Sequence, residues 1–262
     1  MLNLFRGDGR PLVVGHRGAA SVAPENTIEA FRTAVALGVD IVELDVLALD
    51  EGPLVVAHSE RLDEVTHGAA HGRVGSRTLA ELRELAPALP TFEEAIAWFA
   101  VEAPATGIHV DLKLRTSLED VVDALARHAV SSRTVVTSAS AEVLQAIAQL
   151  APDLAVGLTY PEDRLQISRK RYLRPAIRAA LISARASVPP RLPRMLSRAG
   201  AHALMLQHTL VSPAAVVRAH AHGVPVLAWT VDAPSDVVRV TAAGVDGVIT
   251  NDPAMLLATL KS

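Results

Sequence analysis

The chain has no cysteine. That excludes disulfides, thiolate-held zinc and a cysteine nucleophile, and is compatible with either redox compartment. Aromatic residues make up only 3% of the sequence, while half of all residues are hydrophobic. A core must therefore be assembled from Ala, Val, Leu and Ile, and the same abundance of apolar side chains argues against disorder. Charge of one sign is also scarce, with 25 Lys and Arg against 28 Asp and Glu and a formal net charge of -3. Without a basic excess to grip a phosphate backbone, no nucleic-acid partner is expected. The opening MLNLFRGDGRPLVVGHRG holds no long apolar stretch before a small-residue cleavage site. No later apolar run reaches the roughly 18 uninterrupted residues of a membrane span. A soluble, cytoplasmic protein is the expectation.

What is present is an alternation. Short runs rich in Val, Ile and Leu are separated by longer stretches of Ala, Leu, Glu and Arg at helical spacing, the pattern of parallel strands joined by crossover helices. Strand candidates fall at 12–16, 41–46, 54–58, 108–113, 134–138, 155–159, 203–207, 226–231 and 247–250. The link 47–53 is too short for a parallel crossover, which needs about a dozen residues. The 54–58 segment is thus expected as a hairpin arm above the second strand, with Asp50-Glu51-Gly52-Pro53 as its turn. Removing it leaves the eight strands of a (β/α)8 TIM barrel, for which a chain of 262 residues has the usual length of about 250. The expected fold class is α/β, one TIM-barrel domain over 1–262 with a small hairpin and loop insertion at about 47–90. Asn26 is expected to cap a helix over 27–37, and a helix is expected over Leu79–Leu85.

Chemistry gathers on two strands. In Ile41-Val42-Glu43-Leu44-Asp45-Val46 the carboxylates are spaced by two and share one strand face; Asp111 and Lys113 do the same in the fourth run. Because the outer face of a barrel strand packs on helices, these charges should point inward near the C-terminal ends, where barrel active sites lie. Buried acids demand compensation. Three converging carboxylates, Glu43, Asp45 and Asp111, suit one hard divalent cation such as Mg2+ or Ca2+, since Lys113 alone cannot neutralise them. The competing reading is an internal salt-bridge network without metal. His16 and His58 end their strand candidates and can overhang the barrel mouth as general base and general acid. Arg17 offers a planar fork to phosphate oxygens, or a salt bridge to Glu25 or Asp45. Other histidines are less informative: His67 and His71 sit in the insertion, and His220 and His222 are two apart on a helix and cannot share a face.

In order along the chain come His16-Arg17-Gly18, Pro24-Glu25-Asn26-Thr27, Ala30-Phe31, the run from Gly38 through Glu43 and Asp45 to Val46, and Val55-Val56-Ala57-His58. Then follow Leu89-Pro90-Thr91-Phe92-Glu93-Glu94, Asp111-Leu112-Lys113, Trp229-Thr230-Val231 and Gly247-Val248-Ile249-Thr250-Asn251-Asp252-Pro253. This ordered set resembles the glycerophosphodiester phosphodiesterases over nearly the whole chain, most weakly at 161–200. The resemblance implies metal-dependent hydrolysis of a glycerophosphodiester to glycerol 3-phosphate and an alcohol. It implies a metal on Glu43, Asp45 and Asp111, with His16 and His58 as the acid/base pair. Arg17 and Lys113 would hold the phosphate and Trp229 would line the glycerol side, unless Trp229 is an ordinary core aromatic. The family usually has Glu at position 111, Asp at the position of Ser59 and Asn at that of Asp232.

Two rival activities are open to such a chain. Ten basic residues lie between Glu162 and Arg198, interleaved with Leu173, Ile177, Leu181 and Ile182. A basic amphipathic stretch at 164–198 could rest on an anionic membrane, as a lysophospholipase D-like enzyme would require, although a solvated helix face is the favoured reading. A barrel that binds phosphate ligands without turnover is the second rival. The sequence leaves the oligomeric state and the division of labour between the two histidines open.

Overall fold

Strands covered by helices on one face and by a filled barrel interior on the other are apolar on both sides, and the Val-, Ile- and Leu-rich runs lie in that setting here. The computed structural model of the chain describes residues 2–6, 9–66, 68–161 and 174–261, the side chains of 174–178 excepted. The expectations for His67 and for the basic side chains of 162–178 lie outside these residues. The strands are β1 (Leu12–Gly15), β2 (Ile41–Ala48), β3 (Leu54–Val56), β4 (Gly107–Leu112), β5 (Thr134–Ser138), β6 (Ala155–Tyr160), β7 (Ala203–Gln207), β8 (Val226–Trp229) and β9 (Gly247–Thr250). The helices are α1 (Ile28–Leu37), α2 (Leu62–Val65), α3 (Leu79–Leu85), α4 (Phe92–Glu102), α5 (Leu118–Arg127) and α6 (Ala141–Leu150). They continue with α7 (Arg174–Ala184), α8 (Val188–Ala199), α9 (Pro213–His220), α10 (Pro234–Ala242) and α11 (Pro253–Lys261).

β1 pairs in parallel with both β2 and β9, and this closes β1, β2 and β4 through β9 into a ring. The fold is a (β/α)8 TIM barrel. β3 folds back antiparallel on β2 with Val46 opposite Val56, as the short intervening link requires. After β3 the chain makes α2 and α3 before α4 returns it to the barrel. The main core lies between strands and helices, with Phe31, Phe92 and Phe99 fully buried in it. Inside the ring, Val14, Ile41, Val135, Ala155, Met205, Leu227 and Ile249 form a separate apolar layer, and Leu4 of the N-terminal segment is buried against it from below.

The strand register carries polarity upward from that layer. Glu43 pairs with His109 and Asp45 with Asp111 across β2 and β4, so alternate residues place these side chains on one face, higher along the same strands. His16, His58 and Lys113 stand just beyond the last ladder residues of β1, β3 and β4, so those strands are shorter than the sequence runs suggest.

One local expectation is overturned. Thr27, not Asn26, caps α1, its hydroxyl accepting from the Ala30 amide at 3.2 Å. The Asn26 amide is committed elsewhere: Nδ2 donates to Asp45 Oδ2 at 3.0 Å and Oδ1 accepts from the Asp45 backbone N–H at 3.2 Å. Its backbone is left-handed at φ 59, which ends the preceding loop and leaves Thr27 to begin the helix. Capping boxes start α3 at Thr78 with Glu81 and α4 at Thr91 with Glu94. Each satisfies two helix N–H groups that would otherwise lack partners. No helix among the described residues is long and apolar enough to cross a membrane.

Candidate active site

On one face of β2 and β4, Glu43, Asp45 and Asp111 each bring a carboxylate oxygen within 4.8 Å of the others. All three are buried. The Arg17 backbone N–H donates to Glu43 Oε2 at 2.7 Å, a bond that Arg17 reaches by adopting a left-handed backbone at φ 53. The following Gly18, at φ 87, packs so closely that a Cβ there would lie 2.5 Å from the Ala30 backbone carbon. The His16-Arg17-Gly18 turn thus aims a main-chain donor at the acid cluster while fitting tightly against α1.

Six ionisable groups meet here. The Arg17 guanidinium reaches Glu25 at 2.9 Å and Asp45 Oδ2 at 3.0 Å, and Lys113 Nζ lies 3.0 Å from Asp45 Oδ1 and also contacts Asp111. Both salt bridges weighed for Arg17 are therefore present. The two contacts to Asp45 are ion pairs by distance but lack hydrogen-bond alignment, and Asp45 Oδ1 is buried without a hydrogen bond. Asp111 Oδ1 instead accepts from Thr137 Oγ1 at 2.5 Å and Thr159 Oγ1 at 3.1 Å. Burial would raise all three acids. Lys113 and then Arg17 nevertheless hold Asp45 well below the carboxylate range, and Lys113 holds Asp111 down as well. At Glu43, burial and the neighbouring charge of Asp45 outweigh Arg17 and Lys113 and push the carboxyl well up. Arg17, shared with Glu25, and Lys113 do not balance the three buried acids, and one desolvated carboxyl and one buried acceptor are left. An all-oxygen donor set with that imbalance fits a hard divalent cation.

His16 Nδ1 lies 2.7 Å from Asn251 Oδ1, and its Nε2 is 3.9 Å from Glu43 Oε2. Burial, with help from Arg17, lowers its pKa to about 3. His58, on the hairpin arm, is lowered by burial too, and interacts electrostatically with Asp45, Arg17 and Lys113. His16, His58, Arg17, Lys113 and the three acids are therefore brought to one mouth.

Trp229 sits apart from the charges. It is half-buried on the interior apolar layer, and its Nε1–H donates to the Met205 carbonyl at 2.9 Å. With that donor spent on the backbone, the indole can offer a ligand only ring faces and edges. Beside His58 and Arg17 opens a pocket of about 310 Å³, walled by the loop before α1 and by Val65, Leu85, Pro87 and Leu89 of the insertion.

Sequence reasoning passed over several residues that shape this mouth. Asn26 and Thr159 bind the acids, and Asp232 holds Asn251 through both carboxylate oxygens, 2.8 Å to its backbone N–H and 2.7 Å to Nδ2. His109 is buried below Asp111, with Nε2 2.8 Å from Thr137 Oγ1. A signal existed for the last group: His109 and Thr137 are polar residues inside otherwise Val-rich strands, a placement that needs an internal partner.

The chain is similar to known proteins along nearly its whole length. The model of the glycerophosphoryl diester phosphodiesterase family matches residues 16–255. A glycerophosphodiester phosphodiesterase of Caldanaerobacter subterraneus subsp. tengcongensis is 29% identical over 96% of this chain and 98% of its own length. A solved structure from Silicibacter pomeroyi DSS-3, 26% identical, covers 98% of this chain and 95% of that one with a TM-score of 0.80. The fold is shared as well with an Oleispira antarctica phosphodiesterase solved in complex with the product sn-glycerol-3-phosphate, at 22% identity, 97% and 98% coverage and a TM-score of 0.76.

Proposed function

The chain belongs to the glycerophosphoryl diester phosphodiesterase family and is an enzyme of that class, and from that premise we propose that it hydrolyses glycerophosphodiesters to glycerol 3-phosphate and an alcohol. In this reading Glu43, Asp45 and Asp111 hold one divalent cation, Mg2+ or Ca2+, and the whole chain, insertion included, works as one domain. The observation that carries the proposal is the pairing of an under-compensated, buried acid cluster with two imidazoles at the same mouth.

A glycerophosphodiester carries its own nucleophile, the free glycerol hydroxyl beside the phosphate, and holding it in line supplies much of the rate enhancement. Arg17 and Lys113 bind the phosphoryl oxygens and offset the charge that develops there. One of His16 and His58 takes the proton as the hydroxyl oxygen bonds to phosphorus, and the other protonates the alcohol oxygen as its bond to phosphorus breaks. Water then opens the cyclic diester with the proton roles reversed, and glycerol 3-phosphate leaves. When bound, the cation supplies Lewis-acid polarisation of a phosphoryl oxygen and eases loss of the hydroxyl proton. Trp229 packs against the glycerol side by apolar contact, and the pocket beside His58 receives the departing alcohol.

The test is a coupled glycerol 3-phosphate assay on choline, ethanolamine, glycerol and inositol diesters, run after chelation and with Mg2+ or Ca2+ restored. Release that depends on the added cation is expected. No release from any diester with either ion would reject the proposal.

A further inference from the structure

A histidine ring can place its single neutral-state proton on either nitrogen, and which nitrogen keeps the lone pair is set by the partner of the other. At His16 that partner is Asn251 Oδ1, 2.7 Å from Nδ1. An asparagine amide presents oxygen or nitrogen by a simple flip, so Asn251 alone would not decide the matter. Asp232 decides it. A carboxylate can only accept, and Asp232 takes three donors: Thr250 Oγ1 at 3.1 Å and the Asn251 backbone N–H at 2.8 Å on Oδ1, and Asn251 Nδ2 at 2.7 Å on Oδ2. The nitrogen of the amide must face Asp232, so its oxygen must face His16 and the proton must sit on Nδ1.

We propose that Asp232 is a positioning residue which, through Asn251, locks His16 in the Nδ1–H form with the Nε2 lone pair turned toward the acid cluster. Three groups separated widely in sequence then act as one relay: the loop after β8 orients the loop after β9, which orients the ring after β1. The inference rests on the proposed role of His16 in proton transfer. It adds a direction: in the neutral enzyme His16 can receive a proton at Nε2 but has none there to give. The hydroxyl's proton therefore passes to His16, and protonation of the leaving alcohol falls to His58.

The relay is tested first without any substitution or activity, by 15N NMR of the full chain labelled at histidine nitrogens, with His16 assigned by loss of its signals in His16→Gln. A pyrrole-type Nδ1 and a pyridine-type Nε2 are expected, with and without added Mg2+. The reverse pattern, or an even average of the two, overturns the proposal. Because Asp232 is solvent-exposed, Asp232→Ala leaves the core in place and should release the ring to average both forms. Its kcat should fall about tenfold to a hundredfold, the usual cost of losing an outer partner of a functional histidine, with KM within about twofold. The exchanged pair Asp232→Asn with Asn251→Asp rebuilds the relay, since an amide at 232 donates to a carboxylate at 251 that still accepts from Nδ1–H. It should restore the wild-type nitrogen pattern, whereas Asp232→Asn alone, whose amide can meet either end of the Asn251 amide, should not. Unchanged nitrogen signals in folded Asp232→Ala would refute the lock. A locked ring in a protein that releases no glycerol 3-phosphate would instead sink the proposed reaction and leave the lock standing.

Discussion

His16 and His58 sit where burial lowers the pKa of each ring, which favours the neutral form, so the ring that protonates the departing alcohol must itself take up a proton before that step. Replacing His16 or His58 by Ala should each reduce glycerol 3-phosphate release at least about a hundredfold, the usual weight of a positioned acid or base. A variant that melts like the parent and keeps its rate would remove that ring from proton transfer. His109 is governed by the same burial but serves stability. Its pKa falls from 6.5 unfolded to about 4 in the fold, so between those values the unfolded chain binds more protons than the native one. Stability contributed by the neutral ring is complete above about 6.5 and is lost as pH falls toward about 4. The melting temperature should drop across that window. His109→Gln, whose amide can still donate to Thr137 Oγ1, should make the drop shallower in a series of melts from pH 7 to 4. Parallel pH profiles for the two proteins would show that His109 is not the group responsible.

Two glycines separate backbone need from packing need at the level of elements. Gly38 ends α1 at φ 85 with nothing within 4 Å of a built Cβ, whereas Gly18 at φ 87 would drive a Cβ into the α1 backbone. Gly38→Ala should therefore cost only the left-handed penalty, about 1 kcal/mol. Gly18→Ala should cost that plus roughly 1–3 kcal/mol for overpacking, and should also lower activity by shifting the Arg17 amide away from Glu43. Urea unfolding of both variants measures the difference, and equal losses would contradict the packing argument. Legibility in the sequence followed the same division. The strands were readable because burial on both faces leaves unbroken runs such as Val135 and Val136, the hairpin because its link was too short for a crossover, and the acid cluster because side chains alternate with period two. The Asn26 bonds and the Asp232–Asn251–His16 relay were not readable. They join residues 19 or more apart, and His16 and Asn251 are 235 apart. Nothing in local pattern says which amide a buried acid or ring will meet. The helical reading of 164–198 gave no boundaries for α8, for another reason: Pro189 and Pro190 open it and Pro193 lies inside it, where an isolated sequence would read a helix stop.

Over the whole molecule, stability and chemistry are placed at opposite ends of one cylinder. Leu4 and the layer around Ile41, Met205 and Leu227 fill the lower interior with apolar atoms. The upper interior carries acids whose charges are not balanced by Arg17 and Lys113 alone, so occupation of the mouth should register in the melting of the entire fold. Glu43 isolates that linkage. Burial and the charge of Asp45 push its carboxyl well up, which favours the neutral form when no cation is bound, and glutamine has nearly the shape of that form. It can also still accept the Arg17 amide. Glu43→Gln should therefore melt close to wild type in chelator. Wild type should gain several degrees as Mg2+ or Ca2+ is raised to about a hundredfold above its Kd, where the linkage contributes about 2.7 kcal/mol, and Glu43→Gln should gain far less and release little glycerol 3-phosphate. Asp45→Asn is the contrast, because it strips the shared partner from Arg17 and Lys113 and should lower the melting temperature in chelator as well. Equal cation-induced shifts in wild type and Glu43→Gln would mean that the ion binds elsewhere on the protein, and the acid cluster would then be a salt-bridge network with a surplus charge.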